Sequence, residues 1–205
     1  SADKLIENIT PKINNIKVGP YNDETSDMGP VVSKDAYERI NGLIDSGVEE
    51  GANLIVDRRN IKLQGYENGY FIGPCLFDNV KDNMKIYKEE IFGPVLSIVR
   101  AKNYEEGLQL VKDNPYGNGC SIFTRDGDTA RNFSSEANIG MVGVNIPIPV
   151  PVAYFSFGGW KNSIFGGHNA YGMEAVRFYT HTKTITSKWP EGIRSGAQFT
   201  MPTLG

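Results

Sequence analysis

Cysteine and histidine are scarce in this 205-residue chain, which has only Cys75, Cys120, His168 and His181. So few and such widely spaced ligands exclude a dense disulfide framework and give no metal-binding spacing. Basic runs are missing as well: 21 Lys and Arg stand against 24 Asp and Glu, for a net charge of -3. The cations are scattered, which argues against a nucleic-acid partner. No stretch is long and apolar enough to cross a bilayer, and Ser1-Ala2-Asp3-Lys4-Leu5 lacks the basic-then-apolar build of a signal peptide, so a soluble protein with no membrane partner is expected. Reduced thiols are the simplest expectation, with pairing of Cys75 and Cys120 left open. There is no Gly-x-Gly-x-x-Gly, no Walker loop and no nucleophile elbow. Neither cysteine has a histidine, a lysine or a helix start beside it to stabilise a thiolate, so both read as buried structural residues. The histidines read as loop or surface residues, since no carboxylate stands at a spacing that would fix either tautomer.

What is present is globular composition, 40% hydrophobic and 22% charged, sufficient for one sizeable core and at first sight one domain. Ile6, Ile9, Ile13 and Ile16 recur at helical spacing, with Pro11 expected to bend or interrupt that helix. Ser33 is placed to cap a helix with Tyr37, Ile40, Leu43, Ile44 and Val48 on its apolar face, ended by Gly51. A short strand is expected at 53–57, an exposed hairpin or loop at 58–69, and extended chain at 70–80. Beyond residue 95 the order is strand (95–100), helix capped by Asn103 with Glu106, strand (120–124), helix capped by Asp128, and strand (141–144). Gly117-Asn118-Gly119 reads as a turn. Such alternation predicts an α/β fold with a parallel sheet. Three prolines in 146–152 make a stiff extended loop. The aromatic and glycine-rich 155–172 suits backbone passing close to ligand or to neighbouring chain. The β-branched series in 176–188 reads as a strand at a sheet edge or in an intersubunit pairing.

The most unusual stretch is Lys88-Glu89-Glu90-Ile91-Phe92-Gly93-Pro94-Val95. Two carboxylates, an apolar pair and a Gly-Pro break suit neither a helix nor a strand interior, but they can hold an acid and an aromatic at a sharp bend. Glu90 is the best candidate for specific polar recognition. A carboxylate accepting from two neighbouring hydroxyls suits a ribose, and an adjacent aromatic can pack a nicotinamide face.

These residues resemble the aldehyde dehydrogenase superfamily. Residues 88–95 resemble its Glu-Glu-Ile-Phe-Gly-Pro-Val motif, 114–124 its Asn-x-Tyr-Gly-x-x-x-x-x-Phe-Thr stretch, and Phe157-Gly158-Gly159-Trp160-Lys161 its Phe-Gly-Gly-x-Lys turn. Within it, 66–69, 114–119, 142–151, 178–180 and Met201-Pro202-Thr203 are similar to the coenzyme A-acylating semialdehyde branch. The resemblance implies a Rossmann-like, parallel-sheet catalytic domain, incomplete, over 1–175, an oligomerisation strand over 176–189 and a tail over 190–205. It also implies oxidation of methylmalonate or malonate semialdehyde with NAD, through a cysteine thioester, to an acyl-coenzyme A with loss of carbon dioxide. By position it makes Glu90 the ligand of the nicotinamide ribose, Phe92 the aromatic flanking the nicotinamide, and Phe157 either a wall of the aldehyde channel or a packing residue. No catalytic residue falls in this chain, because the superfamily's reactive cysteine lies upstream of the matched region. The implied partners are the N-terminal remainder of the enzyme and further copies in a homotetramer, in the bacterial cytoplasm or the mitochondrial matrix. A non-catalytic assembly module and a non-acylating dehydrogenase are the competing readings, separable by an upstream reactive thiol and by coenzyme A dependence.

Overall fold

The computed structural model describes residues 2–152 and 154–189. The chain divides into two compact units, Ser1–Asn114 and Pro115–Gly205, rather than one.

In the first unit, helix α1 (Ala2–Asn15) continues through Pro11. The expected interruption does not occur. Proline removes only the hydrogen bond to the carbonyl of exposed Glu7, which solvent can satisfy, while Ile9 and Ile13 on the other side pack on Val56 and Leu76. Helix α2 (Lys34–Glu49) starts where expected, with Ser33 Oγ accepting from the Ala36 amide at 3.1 Å. It ends at Gly51, whose φ of +92° is a conformation that glycine adopts without steric cost. Strands β1 (Asn53–Val56) and β2 (Cys75–Asp78) pair antiparallel, the single-turn helix α3 (Lys85–Lys88) follows, and β3 (Val95–Ser97) joins β2 in parallel. Every residue of β2 is buried, because it lies between the other two strands with side chains packed on both faces. Cys75 and Phe77 join Ile40 and Ile44 of α2 in the main core, whereas Leu76 points the other way, to Ile13. Helix α4 (Tyr104–Asp113) has the expected cap, Asn103 Oδ1 accepting from the Glu106 amide at 2.9 Å.

Charge fixes the ends of this sheet. The carboxylate of buried Asp78 accepts from Arg100 Nε at 2.9 Å and Nη2 at 2.8 Å, and that guanidinium holds it below the usual carboxylate range. Asp57 is held low chiefly by Arg59, whose Nη2 donates to it at 2.8 Å. Depressed carboxylates stabilise the fold above their unfolded pKa of about 4, and that contribution is lost as pH falls through their lower folded values. The thermal midpoint is therefore expected to drop steeply below about pH 4. Asp78→Asn should flatten that acid limb, and an unchanged limb in the variant would refute the assignment.

In the second unit, β4 (Tyr116–Gly117) and β5 (Gly119–Ile122) place the expected turn at 117–119 within strands interrupted only at Asn118. Helix α5 (Gly127–Glu136) is capped by Asp126, whose Oδ1 accepts from the Thr129 amide at 2.6 Å. Asp128, the expected cap, instead lies in the first turn and pairs with Arg131 at 3.3 Å. The strand β6 (Met141–Val144) lies parallel to β5, completing a strand-helix-strand unit, and β7 (Trp160–Lys161) pairs antiparallel with β4. The glycine-rich 155–172 passes close to neighbouring chain: a Cβ on Gly140 would collide with the Gly158 carbonyl oxygen and the Gly159 backbone. Helix α6 (Glu174–Tyr179) corrects the strand expected from Val176. The β-branched threonines that suggested a strand begin only at Thr180, after the helix, and residues 180–189 pair with no strand among the described residues. The expected tail, 190–205, lies outside the described residues.

Candidate functional site

The stretch 88–95 is a bend between α3 and β3, anchored from below and open above. Its anchor is Ile91, buried in the main core. Pro94 has no amide to donate, but its carbonyl accepts from the Cys75 amide at 2.8 Å, so the β2–β3 ladder begins inside the bend. Gly93 is required by space: a Cβ there would lie 2.7 Å from Ile40 Cδ1, and Ile40 is fully buried.

Between these fixed points Phe92 takes a φ of +50°. That region is a genuine outlier for a bulky residue and costs on the order of 1–3 kcal/mol, sustained only where the surroundings over-determine it. Packing of the ring does not compensate, since Phe92 is 81% exposed. The chain thus holds an aromatic ring outward in a strained backbone conformation.

The adjacent carboxylates differ. Glu89 is the C-cap of α3: its amide donates to the Lys85 carbonyl at 2.9 Å, and its side chain lies 3.9 Å from the Lys85 ammonium. Glu90 is exposed, and Arg39 of α2 donates to its main-chain carbonyl at 3.2 Å, not to its carboxylate. The same guanidinium donates to the Ile91 carbonyl at 2.7 Å. Among the described residues the Glu90 carboxylate has no partner, so it is available to accept from ligand hydroxyls. A free carboxylate beside an outward aromatic fits a ribose with a planar ring attached. Arg39 has no signal in the sequence that would have pointed to it.

Phe157 belongs to the second unit. Its ring is half-buried and stacks obliquely on Tyr171, with centroids 4.5 Å apart, while Ser156 Oγ donates to the Tyr171 carbonyl at 2.8 Å. Both thiols are free, and burial pushes each above its ordinary pKa, which disfavours the thiolate. His168 does have a carboxylate partner, contrary to the sequence reading: Nδ1 lies 3.3 Å from Glu174 Oε2. The glycine-rich loop brings the two together across six positions. No group of His, Cys, Asp and Glu among the described residues could hold a metal ion, and no described helix is long and apolar enough to cross a membrane.

Comparison with known proteins decides the family, because the aldehyde dehydrogenase family matches residues 1–185. The chain belongs to that family. It is 53% identical over 204 residues to malonate-semialdehyde dehydrogenase of Pseudomonas aeruginosa, covering 99% of this chain and 41% of that protein. Crystallographic relatives share the aldehyde dehydrogenase fold. Methylmalonate-semialdehyde dehydrogenase from Oceanimonas doudoroffii superposes with a TM-score of 0.87 at 49% identity, covering 93% of this chain and 39% of that one. The Mycobacterium tuberculosis aldehyde dehydrogenase complexed with NAD+ gives 0.77 at 33% identity, covering 87% and 36%. This chain thus spans about two fifths of the length of such aldehyde dehydrogenases. The α/β fold and the family implied by the motifs both stand.

Proposed function

We propose that this chain supplies the nicotinamide end of an NAD-dependent, coenzyme A-acylating dehydrogenase acting on malonate or methylmalonate semialdehyde. The observation that carries the reading is the strained, outward Phe92 beside the carboxylate of Glu90, which has no partner among the described residues. Strain without burial is a cost that a ligand-facing role accounts for and a purely structural role does not. The names of the relatives support the substrate class, and the NAD complex of the tuberculosis protein supports the cofactor.

NAD, when bound, accepts a hydride from the aldehyde carbon. Glu90 accepts hydrogen bonds from the nicotinamide ribose hydroxyls and so orients the sugar. Phe92 covers the nicotinamide and limits the access of water to it. Phe157, braced by Tyr171, and the proline-rich 146–152 line the aldehyde channel. The family motifs imply that the attacking thiolate comes from a part of the enzyme outside this chain, and burial, which disfavours ionisation of both Cys75 and Cys120, agrees with that. The isolated chain is then inactive. Residues 176–189 contribute to assembly as a homotetramer, which would work in the bacterial cytoplasm or the mitochondrial matrix.

The test is product analysis with the full-length polypeptide. With malonate semialdehyde and NAD, adding coenzyme A should accelerate NADH formation and give acetyl-coenzyme A and carbon dioxide in equal amounts with the NADH. Free malonate at a rate indifferent to coenzyme A would sink the acylating reading.

A further inference from the structure

We infer that Arg39 is a positioning residue for the candidate nicotinamide site, clamping the bend so that Phe92 stays in its strained outward conformation. The inference rests on the nicotinamide reading of Glu90 and Phe92 given above. Two consecutive residues of α2 hold the bend on either side of Phe92. Arg39 donates through Nη1 to the Glu90 carbonyl at 3.2 Å and through Nη2 to the Ile91 carbonyl at 2.7 Å, while Ile40 fills the space that a Cβ on Gly93 would need. The two Arg39 bonds span 51 and 52 residues of sequence, so they tie the bend to a helix whose own position is set by the core.

The geometry of the clamp has two consequences. A guanidinium presents parallel donors in a rigid fork, so binding two successive carbonyls fixes their mutual orientation, and with it the peptide plane leading into Phe92. A lysine ammonium has three donors but no planar fork, so it can reach these carbonyls without fixing their mutual orientation. Because Arg39 uses main-chain oxygens, the Glu90 side chain stays available for a ligand. Without the fork, Ile91 and Pro94 stay anchored but the peptide plane leading into Phe92 is free to turn, so φ can relax and swing the ring and the Glu90 carboxylate out of register. The effect on a bound nicotinamide is therefore indirect: Arg39 orders groups that touch the ligand and need not touch it.

The experiment uses the full-length polypeptide with Arg39→Gln, Arg39→Lys and Glu90→Gln. It reads amide hydrogen exchange in peptides covering 88–95 and NADH affinity by the fluorescence of the bound dinucleotide. Arg39→Gln should speed exchange at the bend about tenfold or more while β2 keeps its protection. NADH affinity should fall about tenfold, with Arg39→Lys recovering only part of both effects. Unchanged exchange at the bend in Arg39→Gln overturns the clamp. Unchanged NADH affinity in Arg39→Gln, when Glu90→Gln does weaken it, overturns the positioning role. If the bend loosens but neither variant alters NADH affinity, the nicotinamide reading fails and the clamp stands.

Discussion

Glu90→Gln in the full-length polypeptide is expected to lower kcat/KM for NAD by roughly 10- to 100-fold, with no change in thermal midpoint. The factor follows from replacing a charged acceptor with a neutral amide at two hydroxyls, when hydrogen bonds to a charged group contribute about 1.5–3 kcal/mol and each 1.4 kcal/mol is tenfold in rate. Stability should be indifferent because the carboxylate is exposed and has no partner among the described residues. Glu89→Gln is the control. Its side chain faces Lys85 along the helix surface, at a separation where an exposed pair contributes about 0.5 kcal/mol or less. Steady-state kinetics with NAD varied, alongside thermal unfolding, checks both variants. A Glu90→Gln enzyme with normal kcat/KM would remove the role assigned to this carboxylate, and equal losses in the two variants would point to net charge rather than to a specific contact.

Phe77→Ala is expected to have the largest effect on stability, about 3–5 kcal/mol of unfolding free energy. Phe77 has no exposed surface and lies in β2, the strand packed on both faces. Its ring also sits close under α2: a Cβ on Gly47 would be 3.1 Å from Phe77 Cζ and 2.8 Å from Ile86 Cδ1 of α3. Removing the ring leaves a void among elements that cannot close on it, because α2 is also held by Ile40 and Ile44 in the same core. The same core anchors Ile91, so the bend should loosen with it. Denaturant unfolding of the full-length polypeptide tests the magnitude, and a loss below about 1 kcal/mol would mean that the region relaxes freely around the cavity.

How much could be read from the sequence depended on the range of the interaction concerned. Ser33 and Asn103 were legible as caps because each acts on an amide three residues away. Asp126 was missed in favour of Asp128, since two aspartates two positions apart carry the same local signal and only the path of the preceding chain separates them. The threonines from 180 onward favour a strand and outweigh the weak helical signal of 176–179, so the end of α6 is not legible locally. Within the site, Glu90 and Phe92 were visible through the composition of their stretch and the family motif. The conformation of Phe92 was not: beside Gly93, the sequence would assign any positive φ to the glycine. Arg39 was beyond reach, because its role depends on carbonyls more than fifty residues away, and carbonyls carry no residue identity.

The most direct measurement is a crystal structure of the full-length polypeptide with NAD bound. The account predicts the Glu90 carboxylate within about 2.6–3.2 Å of the nicotinamide ribose hydroxyls, with Phe92 still at positive φ and its ring against the nicotinamide. A dinucleotide bound with its nicotinamide ribose away from Glu90, or a Phe92 relaxed to negative φ in the complex, would contradict it.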